Sequence, residues 1–365
     1  MFTYEKIMKN VLKLIVLVVV TFTVVYFIKM DKNVDTDING GKLKESKVTL
    51  NLNEKIKKDN VIFNPTFQFL WDDLKNSTRE GKIILNDDSD YLNFLNTNII
   101  DKNIIDDKYY IAMSGYEKDN IINKIKQKLT YKFDNYKGVS NTLKGPKDLI
   151  LYSYLKRNIK FNNTFEKLTF PIEFESQDKI TRVKGFGINK YEDEEQNKIA
   201  NQVSILDYKN MEDFIIKLNP LNKEDEIIMA KIPKEETLLK TINKVEKRIE
   251  ENTSSKMKLG ETLAIPNIQF DIQTDYKSLI DKKILNRGFE YNFIVNATTN
   301  TDLKIESNGL IIKKKTNNFL LKNSYKKRWF IFDKPFLVYI KRKGSNTPYI
   351  AMWMDNSELL KKYYN

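Results

Sequence analysis

The chain has 365 residues, a formal net charge of +13, and neither cysteine nor histidine. Those two absences exclude Ser-His-Asp and Cys-His catalysis, imidazole and thiolate metal sites, and disulfides. Seven arginines stand against fifty-five lysines spread among 49 acids, which argues against nucleic acid as a partner, because such binders cluster arginine forks and aromatics on one face.

The stretch Val11-Leu-Lys-Leu-Ile-Val-Leu-Val-Val-Val-Thr-Phe-Thr-Val-Val-Tyr-Phe-Ile28 is apolar but for Lys13 and two threonines. It reaches bilayer length if Lys13 extends back to the interface. Tyr26-Phe-Ile-Lys-Met-Asp31 offers no small residues for cleavage, so residues 1–30 are expected to hold a signal-anchor transmembrane helix over 11–28; the rival is a cleaved signal peptide. Lys6, Lys9 and Lys13 precede the uncharged core at 14–28, placing the N-terminus in the cytoplasm and the bulk of the chain outside. Residues 31–60 are polar and include Gly40-Gly41; they are expected to be a flexible tether to an extracytoplasmic domain over 61–365.

Helical periodicity comes first in that domain. Phe67, Leu70, Trp71 and Leu74 predict a helix over 65–77, and 91–99 and 118–132 follow, the last with Ile121, Ile122, Ile125 and Leu129 on one face. After Pro146 strands are predicted at 149–155, 179–188, 202–208, 213–218 and 226–232. A helix over 235–251 turns Leu238, Leu239, Ile242, Val245 and Ile249 inward, with Glu235 and Glu236 in its first turn. A strand at 262–272, a short helix at 276–283 and strands at 303–306 and 310–315 complete the run. Two apolar runs, 336–340 and 349–353, flank the polar turn 341–348 and predict a buried hairpin. Helices first and strands later, with no regular alternation, argue α+β.

Several motifs share one order. Asp148-Leu-Ile-Leu-Tyr-Ser-Tyr-Leu155 with Phe161-Asn-Asn-Thr-Phe165 is followed by Gln202-Val-Ser-Ile-Leu-Asp-Tyr-Lys209 and Phe214-Ile-Ile-Lys-Leu218. Next come Leu263-Ala-Ile-Pro-Asn-Ile-Gln-Phe-Asp-Ile272, Asp302-Leu-Lys-Ile-Glu-Ser-Asn-Gly309 and the closing Phe332-Asp-Lys-Pro-Phe-Leu with its Gly344-Ser-Asn-Thr-Pro348 turn. This succession, over roughly 147–354, resembles the serpins. The helix near 64–77 is similar to the family's opening helix, although the Phe-Ser-Pro signature expected after it is absent.

The resemblance implies a serpin-like domain with helices packed around mixed and antiparallel sheets, no enzymatic activity, and no cofactor or metal. It also implies a reactive-centre loop. Its hinge candidates are Gly309, Leu310, Ile312 and Lys314; the family's acidic residue near the loop's start is replaced by Ser307, beside Glu306. The scissile-region candidates are Lys322, Asn323 and Ser324. Lys313, Lys315, Lys326, Lys327 and Arg328 are candidates for docking an anionic partner. An inserting hinge must pass between strands, where Lys314 would be buried at a cost of several kcal/mol. A tethered, non-inhibitory binding or structural module is therefore the first reading, with a protease or an anionic surface polymer as partner. The alternative is a suicide inhibitor of a Lys/Arg-directed protease through 309–328. Without the resemblance, 310–315 reads as a plain edge strand and the lysines as guards of that edge. Gly185-Phe-Gly187, the acidic runs at 86–90 and 191–195, and the sequons at Asn76, Asn162, Asn252 and Asn296 carry no chemistry of their own.

Overall fold

The structure is a computed structural model that describes residues 43–134, 136, 145–189, 191, 196–289, 292–307 and 327–363. The span expected over 11–28 lies outside them. Among the described residues no helix is long and apolar enough to cross a membrane.

The architecture is α+β. The largest sheet has the strand order β1 (Ser46–Thr49), β2 (Asn60–Phe63), β18 (Ile350–Met354), β17 (Phe336–Arg342), β11 (Asp225–Lys231), β10 (Asp213–Leu218), β9 (Val203–Asn210) and β12 (Ser255–Lys256). It is antiparallel except where β1 runs parallel to β2. A second sheet orders β16 (Trp329–Ile331), β13 (Thr262–Pro266), β8 (Gly185–Ile188) and β5 (Glu166–Lys167). A third orders β14 (Ile268–Asp275), β15 (Phe293–Ile305), β4 (Asp148–Ile159) and β3 (Tyr110–Tyr116). The hairpin β6 (Ile172–Ser176) and β7 (Lys179–Val183) forms a two-stranded sheet.

Helices fill and cover these layers. α1 (Thr66–Asn76) buries the predicted Phe67, Leu70, Trp71 and Leu74, and Thr66, Gln68 and Phe69 as well, so it is a core helix rather than an amphipathic cover. α2 (Asp90–Thr97) is capped by Ser89, whose hydroxyl accepts from the Leu92 amide. α3 (Ile121–Lys132) lays Ile121, Ile122, Ile125 and Leu129 on Ile111, Ile150, Tyr152 and Tyr154 of the third sheet. With α1 beneath and α3 above, β4 is buried on both faces for most of its length. α4 (Asn197–Ala200) is a single turn, and α5 (Leu238–Glu251) covers the outer face of the largest sheet.

Several expectations need correction. Residues 43–60 are not tether: β1 and β2 build them into the largest sheet. The helix expected from 235 begins at Leu238, because the Thr237 hydroxyl accepts from the Lys240 amide and caps it there. Leu238, with Ile242 and Val245, is its buried anchor, while Leu239 is half-buried. The strand expected over 262–272 breaks at Asn267, where the chain passes from the second sheet to the third. Likewise 179–188 breaks at Lys184, beyond which Gly187 lets β8 press onto β13: a Cβ there would fall 2.0 Å from the Leu263 carbonyl oxygen. Residues 276–283 form turns, not a helix, with Asp281 in the left-handed region. The 310–315 strand lies outside the described residues.

Candidate functional site

The site begins at the seam between β4 and β15. They run parallel through twelve registered pairs, from Phe293↔Asp148 to Ile305↔Ile159, with one irregularity at Val295. An added central strand would have to part this pairing.

On the α1 side the seam rests on a buried polar network. The Ser153 and Thr299 hydroxyls meet at 2.7 Å, and Tyr276 donates its hydroxyl to Thr299 Oγ1 at 3.2 Å. Thr66 Oγ1 lies 3.2 Å from Ser153 Oγ and donates to Asn64 Oδ1 at 2.8 Å. Asn64 also accepts from the Thr66 amide and donates Nδ2 to Thr301 Oγ1 at 2.7 Å. Ser153, Thr299, Thr301, Asn64 and Thr66 are all buried, so each bond replaces one with water and the set ties β4, β15 and α1 together. It contains no carboxylate. Phe63-Asn64-Pro65 stands directly before α1, so Asn64 ties the helix's entry to β15.

The α3 side differs. Asn300 Nδ2 donates to Tyr152 OH at 3.0 Å, Tyr154 OH lies 3.4 Å from Asp302 Oδ2, and Lys156 pairs with Asp302 at 3.1 Å. Burial holds both tyrosine hydroxyls protonated well beyond their ordinary range. For Tyr154 the Asp302 charge adds to burial, whereas the Asn300 bond opposes it at Tyr152.

At the end of the seam near Ile159, Arg157 is buried and stacks its guanidinium 3.7 Å from the centre of the Tyr109 ring. It donates to Tyr349 OH at 3.0 Å and pairs with Asp225 at 2.5 Å, and Asn222 binds the same Asp225 carboxylate. Burial pushes the Tyr349 hydroxyl far up, although the Arg157 charge works against it.

The chain leaves the seam at Ser307, whose hydroxyl donates to the Phe165 carbonyl. Gly309, Leu310, Ile312, Lys313, Lys314, Lys315, Lys322, Asn323, Ser324 and Lys326 lie outside the described residues. The chain returns at Lys327, which is exposed over Gly260, and Arg328. Arg328 is held by a fork to the fully buried Glu261, at 2.6 and 3.1 Å, and it also donates to Ser255 Oγ and the Lys256 carbonyl. Its charge is thus matched inside the fold, an anchor that no local spacing announces. Beside β16 a groove of about 450 Å³ is lined by Leu168, Phe170, Ile172, Ala264, Trp329 and Ile331. Among the described residues no group of three or more acidic side chains is gathered to hold a metal ion.

A closed parallel seam over a core helix, whose end leads to an edge strand of a second sheet, is the α+β arrangement that the resemblance to the serpins implies. No family model and no curated protein matches the sequence. Among solved structures the chain is similar to protease nexin-1, crystallised with heparin, at 13% identity over 82% of this chain and 92% of that one, with a TM-score of 0.49. It is also similar to thyroxine-binding globulin in complex with thyroxine, at 13% identity over 82% and 93% and a TM-score of 0.49. Serpin48 of the insect Tenebrio molitor gives 13% identity over 81% and 92%, with a TM-score of 0.43.

Proposed function

We propose that this is a surface-tethered, serpin-shaped binding module that does not trap proteases. The tether is the signal-anchor over 11–28, and the partner is an anionic surface polymer or protein met by Lys313, Lys315, Lys326 and Lys327.

One observation carries the non-inhibitory part: the seam has no place for the charge that an inserting segment would bring. Successive residues of a strand face opposite sides, and Lys313-Lys314-Lys315 are consecutive. Whichever register the segment took, at least one ammonium would face α1. Folding back antiparallel from Ser307, those lysines would lie a few residues into the seam, beside Leu155, Thr301 and Leu303, all buried. The network there offers hydroxyls and one amide but no carboxylate, and Asp225 nearby is taken by Arg157 and Asn222. An unpaired buried lysine costs several kcal/mol, which opposes the rapid insertion that trapping requires.

The test is incubation of the full chain with trypsin-like proteases, followed by denaturing electrophoresis. Cleavage without a surviving covalent complex is expected. A stable complex would establish the alternative, suicide inhibition of a Lys/Arg-directed protease through 309–328.

A further inference from the structure

After β18 the chain continues through residues 355–363, and this tail joins three parts of the molecule that are far apart in sequence. The Asn60 side chain donates Nδ2 to Asn356 Oδ1 at 2.8 Å and accepts from the Asn356 amide at 3.0 Å, fixing the start of the tail beside β2. Glu358 then turns its carboxylate onto the beginning of β1. Oε1 accepts from the Lys44 amide at 2.6 Å, and Oε2 accepts from the Glu45 amide at 2.9 Å and the Ser46 hydroxyl at 2.8 Å.

Leu359 and Leu360 follow, both buried in the main core. There the tail runs as an irregular antiparallel strand along the outer edge of β14. Leu360 bridges Ile268, the Gln269 amide donates to the Leu359 carbonyl at 3.2 Å, and the Lys361 amide donates to the Asn267 carbonyl at 2.9 Å. Its other edge is filled by β7. The Lys184 amide donates to the Lys361 carbonyl at 2.8 Å, Lys362 bridges Val183, and the Tyr363 amide donates to the Arg182 carbonyl at 3.0 Å. Lys361 Nζ also reaches Glu306, 3.7 Å away, the residue after β15 at the point where the chain leaves the seam.

We propose that residues 357–363 are a latch coupling the N-terminal strand β1 to the β14–β15 end of the third sheet, so that release of the tail loosens both together. The two leucines give the latch its apolar hold, the backbone bonds give it register, and Glu358 and Lys361 are its two ends. A short terminal segment of this kind can open locally at a lower free energy than the long strands it joins. Because Glu358 holds the entry to β1 and Lys361 reaches Glu306, whatever loosens the tail acts on the start of β1 and on the seam's exit at once.

Hydrogen exchange on the full chain ended after Asn356 tests this, with a synthetic peptide of residues 357–365 added back in trans. Amide exchange at 44–49 and at 268–270 is expected to rise at least tenfold in the truncated chain, with 213–218 unchanged, and saturating peptide should restore protection at both sites together. Faster exchange at only one of the two sites, or an equal rise throughout the domain, would overturn the coupling. If the truncated chain does not fold, Glu358→Ala in the full-length chain gives the same reading. It should accelerate 268–270 as well as 44–46, and an effect confined to 44–46 would overturn the proposal.

Discussion

Replacing Thr299 by valine removes one oxygen at the centre of the seam and keeps the β-branched shape. In the native fold that oxygen meets Ser153 at 2.7 Å and accepts from Tyr276 at 3.2 Å, all three residues being buried. The valine leaves the Tyr276 hydroxyl without an acceptor, a cost of about 1–3 kcal/mol, and breaks the Ser153 bond, about 1 kcal/mol more. About 3 kcal/mol of stability should therefore be lost. Ser153→Ala should cost only about 1 kcal/mol, since Thr66 Oγ1 keeps Asn64 as a partner. The Ser153–Thr299 bond is lost once in the double variant, so the two changes together should cost about 1 kcal/mol less than their sum. Equilibrium urea unfolding at unchanged m-value measures all three. A Thr299→Val effect below about 0.5 kcal/mol, or strict additivity, would show that the network does not hold the seam.

Three further outcomes follow from named contacts. Arg328→Ala should destabilise by about 3 kcal/mol, because it strands the buried Glu261 carboxylate; adding Glu261→Gln should recover part of the loss, and failure to recover would mean the fork is not what matters. Ile242→Asp should cost several kcal/mol by burying a charge between α5 and the largest sheet, and a loss below about 0.5 kcal/mol in thermal or urea unfolding would place that face in solvent. Stability should also fall as pH rises above the ordinary tyrosine value of 10. Burial raises the folded-state values of Tyr152, Tyr154 and Tyr276, and lifts half-buried Tyr110 and Tyr116 to about 12. The unfolded chain therefore releases these protons first, and a buried group such as Tyr276 contributes a slope of about 1.4 kcal/mol per pH unit until its folded value is reached. Urea midpoints at pH 9, 10 and 11 would show the decline, and a flat profile would contradict the burial.

What could be read from the sequence was what repeats locally. α1, α3 and the β17–β18 hairpin declare themselves through runs of Phe, Leu and Ile at the period of their element. The first ten residues of β15 do not: their Asn and Thr side chains lack an apolar period, yet Thr298, Thr299, Asn300 and Thr301 are buried, with hydrogen bonds to Asp275 of β14, Ser153 of β4, Tyr152 and Asn64 respectively. The break at Asn267 was hidden between an apolar run before it and apolar alternation after it, since periodicity reports burial but not which sheet does the burying. β1 was hidden by its polar surroundings, because its partner Glu358 is 312 residues from Ser46. The lysine-rich character of the candidate loop was legible at once. The Arg328–Glu261 anchor and the seam network were not, because both are made by residues that meet only in the folded chain.

The most direct measurement places a specific protease site at 322–324, cuts it, and compares the melting temperatures of cut and intact protein. A segment that enters the seam would bury apolar surface on the order of 400 Å², worth about 10 kcal/mol, and raise the melting temperature by roughly 20 °C or more. With three consecutive lysines opposing insertion, cut and intact forms should melt within about 2 °C of each other, a difference below 1 kcal/mol on the same scale. A rise of tens of degrees would contradict the non-inserting seam.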